Sequence, residues 1–170
     1  MQLRGSMSRT RHTRGVIATA SDGLLLYRQT KGEPEVLLVH PGGPYWAKKD
    51  DGAWSIPKGL GEENEDPLAA ARREFEEEIG YRPEGDFIPL GNFRQPNGKT
   101  VAVWAVEGDF ELRYFKSNTF VLEWPPKSGR MQAFPEADRA AWFTLEEASR
   151  KMLKGQRPML DVLQDRLKRR

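Results

Sequence analysis

The chain has 170 residues, enough for one compact domain with a full core and short for two. Charged residues make up 31% and apolar residues 38%, the balance of a globular protein with a well-solvated surface. There is no cysteine, which excludes disulfides, thiolate metal sites and cysteine nucleophiles.

Apolar runs such as Val36 to Val39 fall far short of the roughly 20 residues that span a bilayer. The basic start lacks the apolar stretch of a secretory signal, so the expected compartment is the cytoplasm. Net charge is +2, unevenly spread. Arg4, Arg9, Arg11 and Arg14 give +4 at one end, and Arg166, Lys168, Arg169 and Arg170 give +4 at the other, which leaves −6 for the body between them. Basic ends hold nucleic acid by neutralising phosphates, or they are simply solvated termini, which is the reading preferred here. Residues 1–13 are therefore expected to be a flexible basic segment and residues 14–170 one domain. Arg4-Gly5-Ser6-Met7 also resembles a cloning scar or an upstream start, which would make Met7 the natural first residue.

In chain order, Gly15 to Ala20 reads as a strand, Asp22-Gly23 as a turn, and Leu24 to Tyr27 as the second arm of a hairpin. Glu35 to His40 reads as a strand buried on both faces. A Gly- and Pro-rich loop follows from Pro41 to Ala53. Trp54 to Ile56 is extended, and Pro57-Lys58-Gly59 breaks it. The clearest helix spans Pro67 to Ile79, with Asp66 as N-cap, Pro67 at the first helical position and Gly80 past the end. Strands are expected over Phe87 to Phe93 and Thr100 to Glu107, turned by Pro96-Asn97-Gly98, and again over Thr119 to Glu123 and Ala140 to Phe143. Thr144 caps a helix from Leu145, and a last helix runs from Pro158 to Leu167. Strands and helices mix without strict alternation, which indicates an α+β or layered α/β/α domain.

The long helix carries the chemistry. At about 100° per residue, Leu68, Ala71, Phe75 and Ile79 form one apolar stripe. Glu74, Glu77 and Glu78 sit at i, i+3 and i+4 and share the adjoining face, where they repel one another. Such a face is either merely solvated or holds a hard divalent cation, which wants oxygen ligands. The preceding loop, Pro57-Lys58-Gly59-Leu60-Gly61-Glu62-Glu63, has two glycines and a lysine. It feeds the helix N-terminus, where backbone N–H groups favour anions.

Gly59 to Tyr81 resembles the Nudix box. That pattern has a glycine, then five residues and a glutamate, then seven residues and Arg-Glu, a bulky aliphatic, Glu-Glu after one residue, and a closing glycine and aliphatic. The chain supplies Gly59, Glu65, Arg73, Glu74, Phe75, Glu77, Glu78, Gly80 and Tyr81. Phe75 and Tyr81 depart, being aromatic at packing positions. The resemblance implies an α/β/α sandwich around a mixed sheet. It also implies hydrolysis of a phosphoanhydride bond in a nucleoside diphosphate derivative, with Mg²⁺ or Mn²⁺ as cofactor.

By the same resemblance, Glu74, Glu77 and Glu78 are catalytic and bind metal, the Gly59 carbonyl joins them, and Glu65 and Arg73 form a structural pair. A positioned carboxylate can orient a water and accept its proton, a role often given to the match of Glu74. A further metal carboxylate is expected from Glu136, six residues before Trp142, a spacing that resembles the family's dinucleoside polyphosphate hydrolases. Asp138 and Glu123 are its rivals. Lys58 stands in the Pro-Lys-Gly variant of those same enzymes and would contact a phosphate. Trp46 either stacks on a base or pins its own loop. His40 reads as a structural histidine, and Trp104 and Trp124 as packing residues. The expected substrate is a dinucleoside polyphosphate, ahead of nucleoside triphosphates and RNA 5′ ends. Tyr45, Trp46, Phe120, Trp124 and Phe134 lie outside the box in the segments that would choose it. The contrasting reading is a nucleotide-sensing module that binds without cutting, but the intact box and the lack of room for a second domain weigh against it. No membrane partner is expected.

Overall fold

The computed structural model describes residues 20–170. Strand β1 (Ala20–Thr30) is continuous and pairs antiparallel with β2 (Glu33–Pro41) across the two-residue turn Lys31-Gly32. Both turn residues have positive φ, 51° and 85°, the geometry that matches the twist of a tight hairpin. The expected turn at Asp22-Gly23 is therefore absent, and the expected strand before Ala20 lies outside the described residues, as does the basic N-terminal segment. Gly23 has another role. A Cβ there would stand 2.7 Å from Ile56 Cδ1 and 3.0 Å from Lys58 Cβ. Its bare backbone admits β3 (Lys58–Gly59), which pairs antiparallel with Asp22 and Gly23. Lys58 and Gly59 thus form a short strand rather than a break.

Helix α1 (Pro67–Ile79) leads on to β4 (Ile88–Arg94) and β5 (Thr100–Glu107), which pair antiparallel, while β5 runs parallel to β1. Next come β6 (Thr119–Glu123) and β7 (Met131–Pro135), a separate two-stranded sheet. Strand β7 was not anticipated, because Met131-Gln132-Ala133 lacks β-branched residues. Strand β8 (Ala137–Thr144) starts three residues earlier than expected and pairs with β2. Helices α2 (Leu145–Lys151) and α3 (Pro158–Lys168) close the described chain.

The main sheet has the order β4-β5-β1-β2-β8, with β3 also on β1, and is mixed in direction. Strand alternation divides its side chains between two cores. Leu24, Leu26, Leu37 and Val39 pack with Ala71, Phe75 and Ile79 of α1. Leu25, Tyr27, Val36 and Leu38 face the other way and pack with Met159, Leu160 and Leu163 of α3, with Ala148 of α2, and with Trp54 and Phe143. Two-faced burial explains why the centres of β1 and β2 read as unbroken apolar runs. The result is an α/β/α sandwich around a mixed sheet. Among the described residues no helix is long and apolar enough to cross a membrane.

Candidate active site

The box helix starts and stops by local rules. The Asp66 carboxylate accepts from the Ala69 N–H at 3.1 Å. Gly80, at φ 83°, donates its N–H to the Glu76 carbonyl at 2.8 Å and ends the helix in the left-handed conformation that glycine tolerates. The stripe of Ala71, Phe75 and Ile79 faces the sheet, so Glu74 and Glu78 are carried along its margin, half-buried.

Arg73 organises the loop before the helix. Its Nε and Nη2 donate to the two oxygens of Glu65, both at 2.9 Å, and Nη2 also donates to the Leu60 carbonyl at 3.1 Å. This fork holds Glu65 down at about 2, mainly through the hydrogen bonds from Arg73. Nη1 turns toward the helix and donates to Glu74 at 3.0 Å and Glu77 at 3.2 Å. The acidic face therefore has a cation beside it, which spacing alone did not show.

Gly59 sits directly against the Glu74 carboxylate, where any Cβ would overlap its atoms. The Lys58 backbone lies beside the Glu78 carboxyl. Burial, followed by the charge of Glu136, holds the Glu78 carboxyl up at about 8. Glu74 is also raised, mainly by burial. Lys58 is half-buried and is pushed below the usual lysine range by burial, against the opposite pull of Glu78.

Glu136 reaches this cluster through backbone bonds. The Glu77 carbonyl accepts from Asn118 at 3.0 Å, the Asn118 carbonyl accepts from Glu136 at 2.8 Å, and the Glu136 carbonyl accepts from Gly42 at 2.9 Å. This ladder ties the end of α1 to the start of β8 and then to the loop after β2. Of the three acids considered for the further carboxylate, Glu136 is the one whose charge acts on Glu74 and Glu78. Asp138 instead meets His40, Nδ1 to Oδ1 at 2.8 Å. Glu123 is exposed on β6.

A cleft of about 210 Å³ joins these parts, lined by Lys58, Glu78, Glu136, Trp46, Ile56 and Leu153 among others. Its lining is part charged and part apolar. Trp46 is half-buried, with the Lys49 ammonium 4.9 Å from its ring centroid. Tyr45 beside it is 60% exposed and meets Trp124 edge to face at 5.1 Å. Phe120 and Phe134 pair across β6 and β7 at 6.0 Å. Trp104 packs partly buried against the α1 core.

The donor set is made of hard oxygens crowded by unbalanced negative charge, and it suits a divalent cation. Glu74, Glu78 and Glu136 with the Gly59 carbonyl are the groups that would hold it, and Glu77 joins if Arg73 releases it. Among the described residues no three carboxylates or imidazoles stand close enough to grip an ion as they are.

A family model described as the NUDIX domain matches residues 10–163. The chain belongs to the Nudix family. Its class of reaction goes with that membership: it is a Nudix-type pyrophosphohydrolase, acting on acid anhydrides, and enzymes of this family generally use divalent metal ions. Solved structures share the fold at low identity. The binary complex of a C. elegans Ap4A hydrolase is 22% identical over 88% of this chain and 99% of that one, with a TM-score of 0.62. The NUDIX domain of Shewanella oneidensis NrtR, complexed with ADP ribose, is 14% identical over 87% of each chain, with a TM-score of 0.59. A mutT/nudix family protein from Listeria innocua is 18% identical over 89% and 94%, also at 0.59. No curated protein matches the sequence.

Proposed function

We propose that the chain hydrolyses a phosphoanhydride bond of a dinucleoside polyphosphate with the help of Mg²⁺. The observation that carries this reading is the cleft, which Glu78, Glu136 and Lys58 line together with an indole, Trp46. A polyphosphate needs the charged groups and a nucleobase needs the aromatic one. Tyr45 and Trp124, at the contact between loop and hairpin, offer a second aromatic surface for a second base. The fold shared with a C. elegans Ap4A hydrolase supports the same substrate class.

Glu74, Glu77, Glu78, Glu136 and the Gly59 carbonyl would hold the cation, which would supply charge stabilisation for the phosphates and their transition state. The chain's own groups do the rest. Glu74, pressed against Gly59, orients a water and takes its proton, while the remaining hydroxyl adds to phosphorus and the bridging P–O bond breaks. Lys58 contacts the phosphate chain as a point charge. Glu65 and Arg73 keep the loop on the helix.

The test is a panel of diadenosine polyphosphates, ATP and ADP-ribose with Mg²⁺ or Mn²⁺ in ¹⁸O-labelled water, with products separated and weighed. The expected result is asymmetric cleavage of a diadenosine polyphosphate, releasing one mononucleotide, faster than cleavage of ATP at equal concentration. Faster cleavage of ATP or ADP-ribose would overturn the substrate assignment. Full activity in EDTA would overturn the role of the cation. Tight nucleotide binding with no product from any of them would favour a sensing module.

A further inference from the structure

His40 stands between Val39 and Pro41, which line the cleft, is fully buried and has no part in the chemistry above. Its ring joins two distant pieces of the site. Nε2 lies 2.6 Å from the Lys49 carbonyl, which only accepts, so Nε2–H donates. Nδ1 lies 2.8 Å from the Asp138 carboxyl, within hydrogen-bond distance. Trp54 packs edge to face on the ring at 5.3 Å, and its own indole N–H donates to Asp50 at 2.8 Å.

Both partners are strategic. Lys49 ends the short span that carries Tyr45 and Trp46. Asp138 is the extra residue of a β-bulge, since His40 pairs with Arg139 and Pro41 with Ala137. A bulge leaves one residue unpaired and re-aims its neighbours. Here the neighbour two positions back is Glu136. One imidazole thus spans from the aromatic rim to the acidic strand.

We propose that His40 is a positioning residue with two separable tasks: through Lys49 it sets Trp46 against the nucleobase, and through Asp138 it sets Glu136 against the cation. The proposal rests on the roles given above to Trp46 and Glu136, and not on which anhydride is cut. A histidine that served the core alone would affect both tasks together, through stability.

Amide side chains can separate the two bonds. The Asn amide nitrogen lies where Nδ1 lies, and the Gln amide nitrogen where Nε2 lies. His40→Asn keeps the donor to Asp138 and loses Lys49, whereas His40→Gln keeps Lys49 and loses Asp138. The probes are AMP and Mn²⁺, each titrated by calorimetry into the full chain, so neither readout needs turnover. His40→Asn should weaken AMP about threefold to tenfold, the scale of losing one aromatic contact, and leave Mn²⁺ unchanged. His40→Gln should weaken Mn²⁺ about tenfold, the scale of losing a partner that orients a ligand, and leave AMP unchanged. Asp138→Ala cuts the same bond as His40→Gln from a partly exposed position, so Mn²⁺ loss without AMP loss still decides if the buried variants do not fold. Asp138→Asn keeps an acceptor and should bind both probes like the parent. Variants that weaken both probes alike, or that change only the melting temperature, overturn the proposal. A parent chain that binds neither probe overturns the functional reading of the cleft, and this proposal with it.

Discussion

The helix face of Glu74, Glu77 and Glu78 and the rim around Trp46 meet at one cleft but are built in opposite ways. The helix face is local. A cap, a proline, an apolar stripe and a glycine stop fix α1, and spacing fixes its acids. The rim is assembled from far apart. Its lining residues come from the end of β2, the loop after it, the start of β8 and the turn after α2. What a helix presents follows from a short stretch of sequence, whereas what a rim presents depends on which strands become neighbours. Chemistry common to a family can reside in the first kind of structure, while selection of a substrate draws on the second.

Substitutions can separate the two regions, and the largest effects belong to the helix. Glu77→Gln or Glu78→Gln should lower kcat about tenfold to a hundredfold in Mg²⁺. Both proteins should keep their circular dichroism, since the change removes repulsion without removing volume. An unchanged kcat for both would dissolve the contrast at once.

The next effect sits at the seam. Glu136→Gln should lower kcat about tenfold, and Asp138→Asn no more than about threefold, because Asp138 faces His40 rather than the acids. Equal effects in steady-state assays would return Glu136 to the ordinary loop acids.

The rim should answer in KM. Trp46→Ala should raise KM for a dinucleotide about threefold to tenfold and leave kcat close to the parent, as expected when binding is lost equally from ground and transition states. A fall in kcat with unchanged KM would place Trp46 with the chemistry.

The smallest effect is on stability. Glu78 is held up at about 8, against an ordinary glutamate value of 4.5, chiefly by burial. Between those values the folded chain keeps a proton that the unfolded chain has released, so stability falls as pH rises through that window. In EDTA, Glu78→Gln should therefore raise the melting temperature by a few degrees at pH 8 and by less at pH 5. Equal shifts at both values would mean that Glu78 is not crowded in this way.

The same contrast governs how much could be read in advance. The bounds of α1, β5 and β6 follow from caps, turns and alternation, and match the structure residue for residue. Asp22-Gly23 misled because a glycine can serve a turn or a close approach, and only the chain facing it, Ile56 and Lys58, decides which. Strand β7 escaped because a hairpin held by its partner needs little propensity of its own. Arg73 reads from the box as the structural partner of Glu65, and its long side chain also reaches Glu74 and Glu77. The link from His40 to Asp138 spans 98 residues, and no local pattern announces it. A histidine closing an apolar strand was the available sign.

The loop after β2 is fastened at both ends. Gly42 bonds to Glu136 and packs against the Pro135 carbonyl, and at the far end Lys151 grips Asp50 at 2.6 Å and Asp51 at 2.9 Å. Its short free arc, residues 43–48, behaves as a replaceable cassette. Evolution, or a protein engineer, can rewrite those positions to suit a new ligand while leaving the acidic helix and its caps untouched, Trp46 being the one among them that packs against a core.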